Sequence, residues 1–187
     1  RLKTVEELWL DQNDFGDDGV ELLSKARDLQ ELRVLSLAKN KLSDRATFAL
    51  ANSTTLIKLK RLFLQNNFLG AESIGSLSQS SSMVSLEVLY IKQNPLGLEG
   101  AKALASSTFQ NIKELYLGRT QLGNKGLGLL CDGRPWSNLT TLSLAQNSLN
   151  DEAAQMLAET QSFPKLVTLD LYGNQISNEA VDSIKKS

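Results

Sequence analysis

Residues 32–42 read LRVLSLAKNKL. Leu35 and Leu37 alternate here with Val34, Ser36 and Ala38, the period of two that marks a short strand with one buried face. Asn40 and Leu42 close the phrase. It recurs from Val5 (VEELWLDQNDF), Leu59 (LKRLFLQNNFL), Leu86 (LEVLYIKQNPL), Ile112 (IKELYLGRTQL), Leu139 (LTTLSLAQNSL) and Leu166 (LVTLDLYGNQI). The step between copies is 27 residues, except for 26 between Leu86 and Ile112. Repeats at this spacing leave no room for a linker, so residues 1–187 read as a single array.

Each phrase leads into a helical pattern. After the closing apolar residue come the pairs Gly16/Gly19, Ser43/Ala46, Gly70/Ser73, Gly97/Gly100, Gly123/Gly126, Asn150/Ala153 and Ser177/Ala180. Leu23, Leu50, Leu77, Leu104, Leu130, Leu157 and Ile184 then fall at one constant phase, as helix anchors would. Asp17, Asp44, Glu72, Glu99, Asp151 and Glu179 occupy the predicted first turns, where the helix dipole favours negative charge and where they read as a solvated face. Three residues before each phrase stand Leu2, Leu29, Leu56, Met83, Phe109, Trp136 and Phe163, which begin the repeats and return the chain to the core. Strands stacked about 4.8 Å apart cannot keep step with helices about 10 Å across, so the array must bend with its strands inside.

One Asn recurs in each phrase: Asn13, Asn40, Asn67, Asn94, Asn147 and Asn174. An amide offers both donors and an acceptor, so it can satisfy turn groups that face away from water at neighbouring levels. Thr120 breaks this column, and the one short step lies just before it, with the lost residue between Leu104 and Phe109.

The phrase L-x-x-L-x-L-x-x-N-x-L resembles the leucine-rich repeat family over the whole chain, and the unit length is similar to its ribonuclease-inhibitor-like subfamily. The resemblance implies an α/β solenoid, a curved horseshoe with parallel β-strands on the concave face and helices on the convex face. It further implies a non-enzymatic protein–protein interaction module that binds a protein partner, without identifying it. A target as basic as a ribonuclease would call for a strongly acidic array, and this chain carries 20 basic and 21 acidic residues. A second implied reading is a GTPase-activating regulator, since the activator of the nuclear-transport GTPase belongs to the same subfamily. A third is a sensor or effector segment of a larger immune-type or bacterial protein; PLGLEGAKALASS at 95–107 looks bacterial in style.

Composition narrows the chemistry. A net charge of −1 gives no field for nucleic acid or an acidic membrane surface, and neither is expected as a partner. Without His, Ser-His-Asp, Cys-His and His-metal sites are excluded, and no catalytic residue, metal or cofactor is expected. Cys131 shares a helix phase with Ser24, Ala51, Ser78, Ala105 and Ala158 and reads as a small core filler. Gly123, Gly126, Gly128 and Gly133 lack phosphate-loop spacing. Trp136 belongs to a Leu/Met/Phe column and is expected in the core. No apolar run reaches membrane-spanning length and no leader segment is visible, so the expected location is the cytoplasm, or the host cytosol for a bacterial effector. The chain opens at Arg1 inside a repeat and closes on a polar tip at Lys185, Lys186 and Ser187. It reads as a piece of a longer array whose uncapped ends would permit end-to-end self-association.

Function is expected where the repeat leaves side chains free. The third, fifth and seventh residues of each phrase point away from the buried pair. They place Trp9, Asp11, Arg61, Phe63, Tyr90, Lys92, Glu114, Tyr116, Asp170 and Tyr172 on the concave face, with Arg119 just beyond. Trp9, Phe63, Tyr90, Tyr116 and Tyr172 occupy positions that elsewhere accept Ser, Asp or Gly, so the strand does not require them. Aromatic side chains flanked by Arg and mixed charge are the composition of a protein-binding hot spot.

Overall fold

The computed structural model describes residues 2–184; the opening residue and the polar tip at 185–187 lie outside the described residues. Three-residue strands alternate with helices: β1 (Glu7–Trp9), α1 (Gly16–Ser24), β2 (Val34–Ser36), α2 (Asp44–Ala51), β3 (Arg61–Phe63), α3 (Ala71–Ser78) and β4 (Val88–Tyr90). They continue as α4 (Gly97–Ala105), β5 (Glu114–Tyr116), α5 (Gly123–Asp132), β6 (Thr141–Ser143), α6 (Asp151–Glu159), β7 (Thr168–Asp170) and α7 (Asn178–Ile184). The strands form one open parallel sheet in chain order. This is an α/β leucine-rich repeat solenoid, strands on one side and helices on the other.

Equivalent residues face each other at every junction, as in Val34 against Arg61 and Ser36 against Phe63. The register survives the short step, where Leu89 pairs with Leu115 and Tyr90 with Tyr116. Residues 106–113 join α4 to β5, one fewer than residues 79–87 between α3 and β4. The lost residue is thus taken from the helix-to-strand loop and the sheet does not feel it.

Leu35, Leu37, Leu62, Leu64, Leu89, Ile91, Leu115, Leu117, Leu142 and Leu144 are buried between sheet and helices. Leu50, Leu77, Leu104, Leu130 and Leu157 meet them from the helices, and Leu29, Leu56, Met83, Phe109 and Trp136 from the loops. Burying each such side chain contributes about 1.5–3 kcal/mol. Trp136 is a core residue, as its column indicated, although its Nε1 has no acceptor among the described residues. Cys131 is buried and free, and burial pushes its thiol up to about 11, which suppresses the reactive thiolate.

The Asn column performs as its chemistry predicts. Asn67 Oδ1 accepts from the Asn40 N–H at 2.9 Å and the Leu42 N–H at 3.1 Å. Its Nδ2 donates to Leu37 O at 3.1 Å and Leu64 O at 2.9 Å. One side chain therefore ties two levels together. At Thr120 this fails: its hydroxyl turns back to donate to Leu117 O at 2.6 Å and offers Asn94 no acceptor. Leu96 N–H then bonds Asn94 O at 2.9 Å instead. Just before the column residue the chain passes through left-handed backbone, at Gln12, Lys39, Asn66, Gln93 and Gln146 ahead of Asn and at Arg119 ahead of Thr120, with φ between 54° and 64°. Such residues cost about 1–2 kcal/mol each, and the hydrogen bonds of the following Asn, or of Thr120 after Arg119, hold them there.

Two further ladders run along the helices. Asp17 accepts from Ser43 N–H at 2.9 Å and Ser43 Oγ at 2.5 Å; Asp44 accepts from Gly70 N–H at 2.7 Å and Asp151 from Ser177 N–H at 2.7 Å. These carboxylates, which the repeat pattern suggested were merely solvated, each clamp the start of the next helix. At the helix ends, hydroxyls cap the carbonyls of the preceding repeat. Ser53 (2.6 Å) and Thr55 (2.9 Å) donate to Ser24 O, and Thr160 (2.9 Å) and Ser162 (2.5 Å) to Cys131 O. Between these repeats Gly133 and Pro135 lack hydroxyls, and Arg134 reaches back to Phe109 O at 2.5 Å.

Candidate functional site

The concave face carries a line of touching rings. Tyr90 and Tyr116, on adjacent strands, stack with centroids 3.6 Å apart and planes 20° apart. Phe63 lies 5.2 Å from Tyr90, and Trp9 lies 5.4 Å from Phe63. Trp9 belongs to β1 and Phe63 to β3; the indole reaches across because the residue between them on β2 is the buried Ser36. Sequence spacing indicated a stripe of three, and the small side chain at Ser36 extends it to four. Trp9 is 54% exposed, whereas Phe63, with a ring on either side, is 9% exposed. Tyr172 stands outside the line and is 76% exposed. Aromatic contacts of this kind contribute about 0.5–1.5 kcal/mol each beyond area burial.

Cations rest on this line. The Arg61 guanidinium lies 5.7 Å from the Phe63 ring centre and Lys92 Nζ lies 5.8 Å from that of Tyr90. Arg119 Nε donates to Gln146 Oε1. The carboxylates behave differently. Asp11 accepts from Ser36 Oγ at 2.5 Å and Ala38 N–H at 2.7 Å, so it is bound into the sheet. Glu114 accepts from the Tyr116 hydroxyl at 2.9 Å. Asp170 accepts from Ser143 Oγ at 2.7 Å and Tyr172 N–H at 3.0 Å. Burial, with the neighbouring Tyr90 and Glu114, holds the Tyr116 hydroxyl above the ordinary phenol range, so it stays a neutral donor.

A hollow of about 330 Å³ opens beside the Tyr90–Tyr116 stack, with Lys92 and Arg119 among its lining residues and Asp170 also contributing. It exists because Gly118 and Ala145 stand where other repeats carry Asp11, Gln65, Lys92 or Tyr172. A hollow of about 430 Å³ lies on the convex side between α1 and α2. There Arg45 is already bridged to Glu21 at 2.7 Å and to Asp18.

The structure therefore gathers Trp9, Arg61, Phe63, Tyr90, Lys92, Glu114 and Tyr116 into one surface with Arg119 at its edge. It sets Asp11 into the framework and leaves Tyr172 apart. Phe68 escaped the sequence reading: it is 67% exposed in the turn after β3. Its column otherwise holds Asp14, Lys41, Pro95, Gln121, Ser148 and Gln175, and an aromatic among them was the available signal. Gln146, which fixes Arg119, carried no such mark.

A family model described as Leucine Rich repeat matches residues 1–24, 82–105, 137–158 and 164–185. The chain is a leucine-rich repeat protein. Among solved structures, this leucine-rich repeat array is similar to a chain of the yeast Rad7 and Elc1 complex. The likeness has a TM-score of 0.60 at 19% identity and covers 90% of this chain and 43% of the yeast one. The plant peptide hormone receptor RGFR1, solved in complex with RGF2, aligns over 89% of this chain and 28% of its own, at 21% identity and a TM-score of 0.45. The array thus spans less than half the length of either. A comparison with curated proteins returns no significant match. Among the described residues, no helix is long and apolar enough to cross a membrane.

Proposed function

We propose that this leucine-rich repeat array is a non-enzymatic protein-binding module whose partner seats on the concave sheet face around Phe63, Tyr90 and Tyr116. The aromatic line carries the reading. Its column accepts Ser36, Ser143 and Asp170 at the same register, so strand pairing does not call for rings there. Desolvating a partner against half-buried aromatics flanked by Arg is the pattern of residues that dominate protein interfaces. Six strand spacings of about 4.8 Å give an arc of roughly 30 Å, adequate for about 800 Å² per partner. The yeast chain of like fold is found in a complex with a second protein, which supports a partner of the same class.

The test replaces Tyr90 and Tyr116 together by Ser, the residue native to the same column in β2 and β6. Capture of partner protein from lysate of the native cell should fall about tenfold or more. A convex variant, Phe48→Ser, should capture as the unmodified chain does. Loss of capture in the convex variant with none in the concave one would refute the assignment.

A further inference from the structure

The concave cations have no carboxylate of their own. Among the described residues Lys39, Arg61, Lys92 and Arg119 form no ion pair, and neither do Lys3, Lys25, Arg27, Lys125, Arg134 and Lys165 elsewhere, whereas Arg33, Lys41, Arg45, Lys58, Lys60, Lys102 and Lys113 do. Of the acids on the same face, Asp11, Glu114 and Asp170 each accept hydrogen bonds from their own or an adjacent repeat, and Glu7 stands on β1, three strands away from β4. Gln65, in the same column as Lys92, keeps a buried Oε1 without a partner among the described residues. Lys92 and Arg119 both line the hollow beside the Tyr90–Tyr116 stack, and the Arg119 Nη groups have no acceptor among the described residues.

Resting on the concave-face reading, we propose that this hollow receives an Asp or Glu side chain from an acidic segment of the protein partner. Its carboxylate is held by Lys92 and Arg119 and its methylene stem lies on the tyrosine stack. A guanidinium with a free fork and an ammonium are the strongest donors a carboxylate can meet. The stacked rings supply an apolar floor for the stem, and a hollow of about 330 Å³ admits a side chain rather than a segment of duplex. The chemistry favours a carboxylate within a mixed sequence over a polyphosphate strand. Two cations and the Asp170 carboxylate line the hollow, so one anion is accommodated and a second beside it is opposed, and the chain as a whole has 20 basic and 21 acidic residues. A single acidic anchor requires only the local pair of cations.

The experiment selects a displayed library of random peptides on the immobilised full chain at low salt. Winners are then measured by fluorescence anisotropy against three variants: Lys92→Gln with Arg119→Gln, Tyr90→Ser with Tyr116→Ser, and Phe48→Ser. Lys92 and Arg119 are exposed, so the cation variant should keep its thermal midpoint, and the tyrosine variant is measured well below its own midpoint. Winners should be enriched in Asp or Glu. Binding should weaken about tenfold or more in the cation variant, and equally when the peptide's acid is changed to its amide, and it should decline as salt rises. Winners without acidic enrichment that still fail on the tyrosine variant overturn the acidic anchor and leave the concave site standing. Winners indifferent to both concave variants overturn the concave site as well. A fluorescent single-stranded oligonucleotide that binds the parent and not the cation variant overturns the assignment to protein.

Discussion

Two surfaces of this solenoid use the same repeat geometry to opposite ends. Along the edge where the chain enters the sheet, the second residue of the first five phrases runs Glu6, Arg33, Lys60, Glu87, Lys113. Arg33 pairs with Glu6 at 3.4 Å, and Glu87 takes Lys60 at 2.9 Å on one side and Lys113 at 2.7 Å on the other. Two residues earlier, Lys58 pairs with Glu31 at 2.7 Å. On the concave face, a few ångströms away, each cation has neutral neighbours in its column: Arg61 lies between Val34 and Val88, Lys92 between Gln65 and Gly118, Arg119 between Gln93 and Gln146. Parallel in-register strands bring every column within ion-pair reach, so unpaired charge there follows from the choice of neighbours, not from distance. A charged column that neutralises itself stabilises the array. One that does not is left with charge for something outside it.

Removing the common support of both surfaces should have the largest effect. Asn67→Ala strands two N–H and two C=O groups in the interior and should lower unfolding free energy by about 3–5 kcal/mol, read from denaturant midpoints. A loss below about 1 kcal/mol would show that the turns are satisfied without it. The Tyr90→Ser, Tyr116→Ser pair should cost about 1–2 kcal/mol, because the rings that are read as a docking surface also stack on each other. Thr120→Asn, which restores an acceptor opposite Asn94, should raise stability by about 1 kcal/mol. An unchanged or lower melting temperature would mean that the short loop has moved the turn out of reach.

Glu87→Gln should cost about 0.5–1 kcal/mol and leave partner binding unaltered. Its hydrogen bonds to Lys113 and then Lys60 hold the Glu87 carboxyl below the usual carboxylate range. A folded-state value depressed in this way gives stability that is present above the unfolded value near 4.3 and lost as pH falls through the folded one. The gap between parent and Glu87→Gln should accordingly close below about pH 4; a gap that persists there would point to packing instead. The smallest stability effect belongs to Lys92→Gln with Arg119→Gln, within a few tenths of a kcal/mol, although it removes more charge. If this concave pair proved as costly as the edge pair, the distinction between the two surfaces would fall.

Much of this was legible from residues alone. A repeating phrase specifies strand, turn and helix at each level, because period-two and helix-phase apolar residues can bury together in only one way, and the Asn column announces its own hydrogen bonds. The concave list from Trp9 to Tyr172 followed from the same alternation. What alternation does not encode is the relation between one level and the next: that Trp9 crosses Ser36 to reach Phe63, that Asp11 and Asp170 are drawn into the framework, and that Gly118 opens a hollow beside Tyr116. Those outcomes depend on contacts 25 or more residues apart, set by stacking and side-chain size rather than by local pattern. The sequence by itself therefore determined the coil and which side chains line its inner face; only the tertiary structure decided which of their charges find partners within the described residues and which do not.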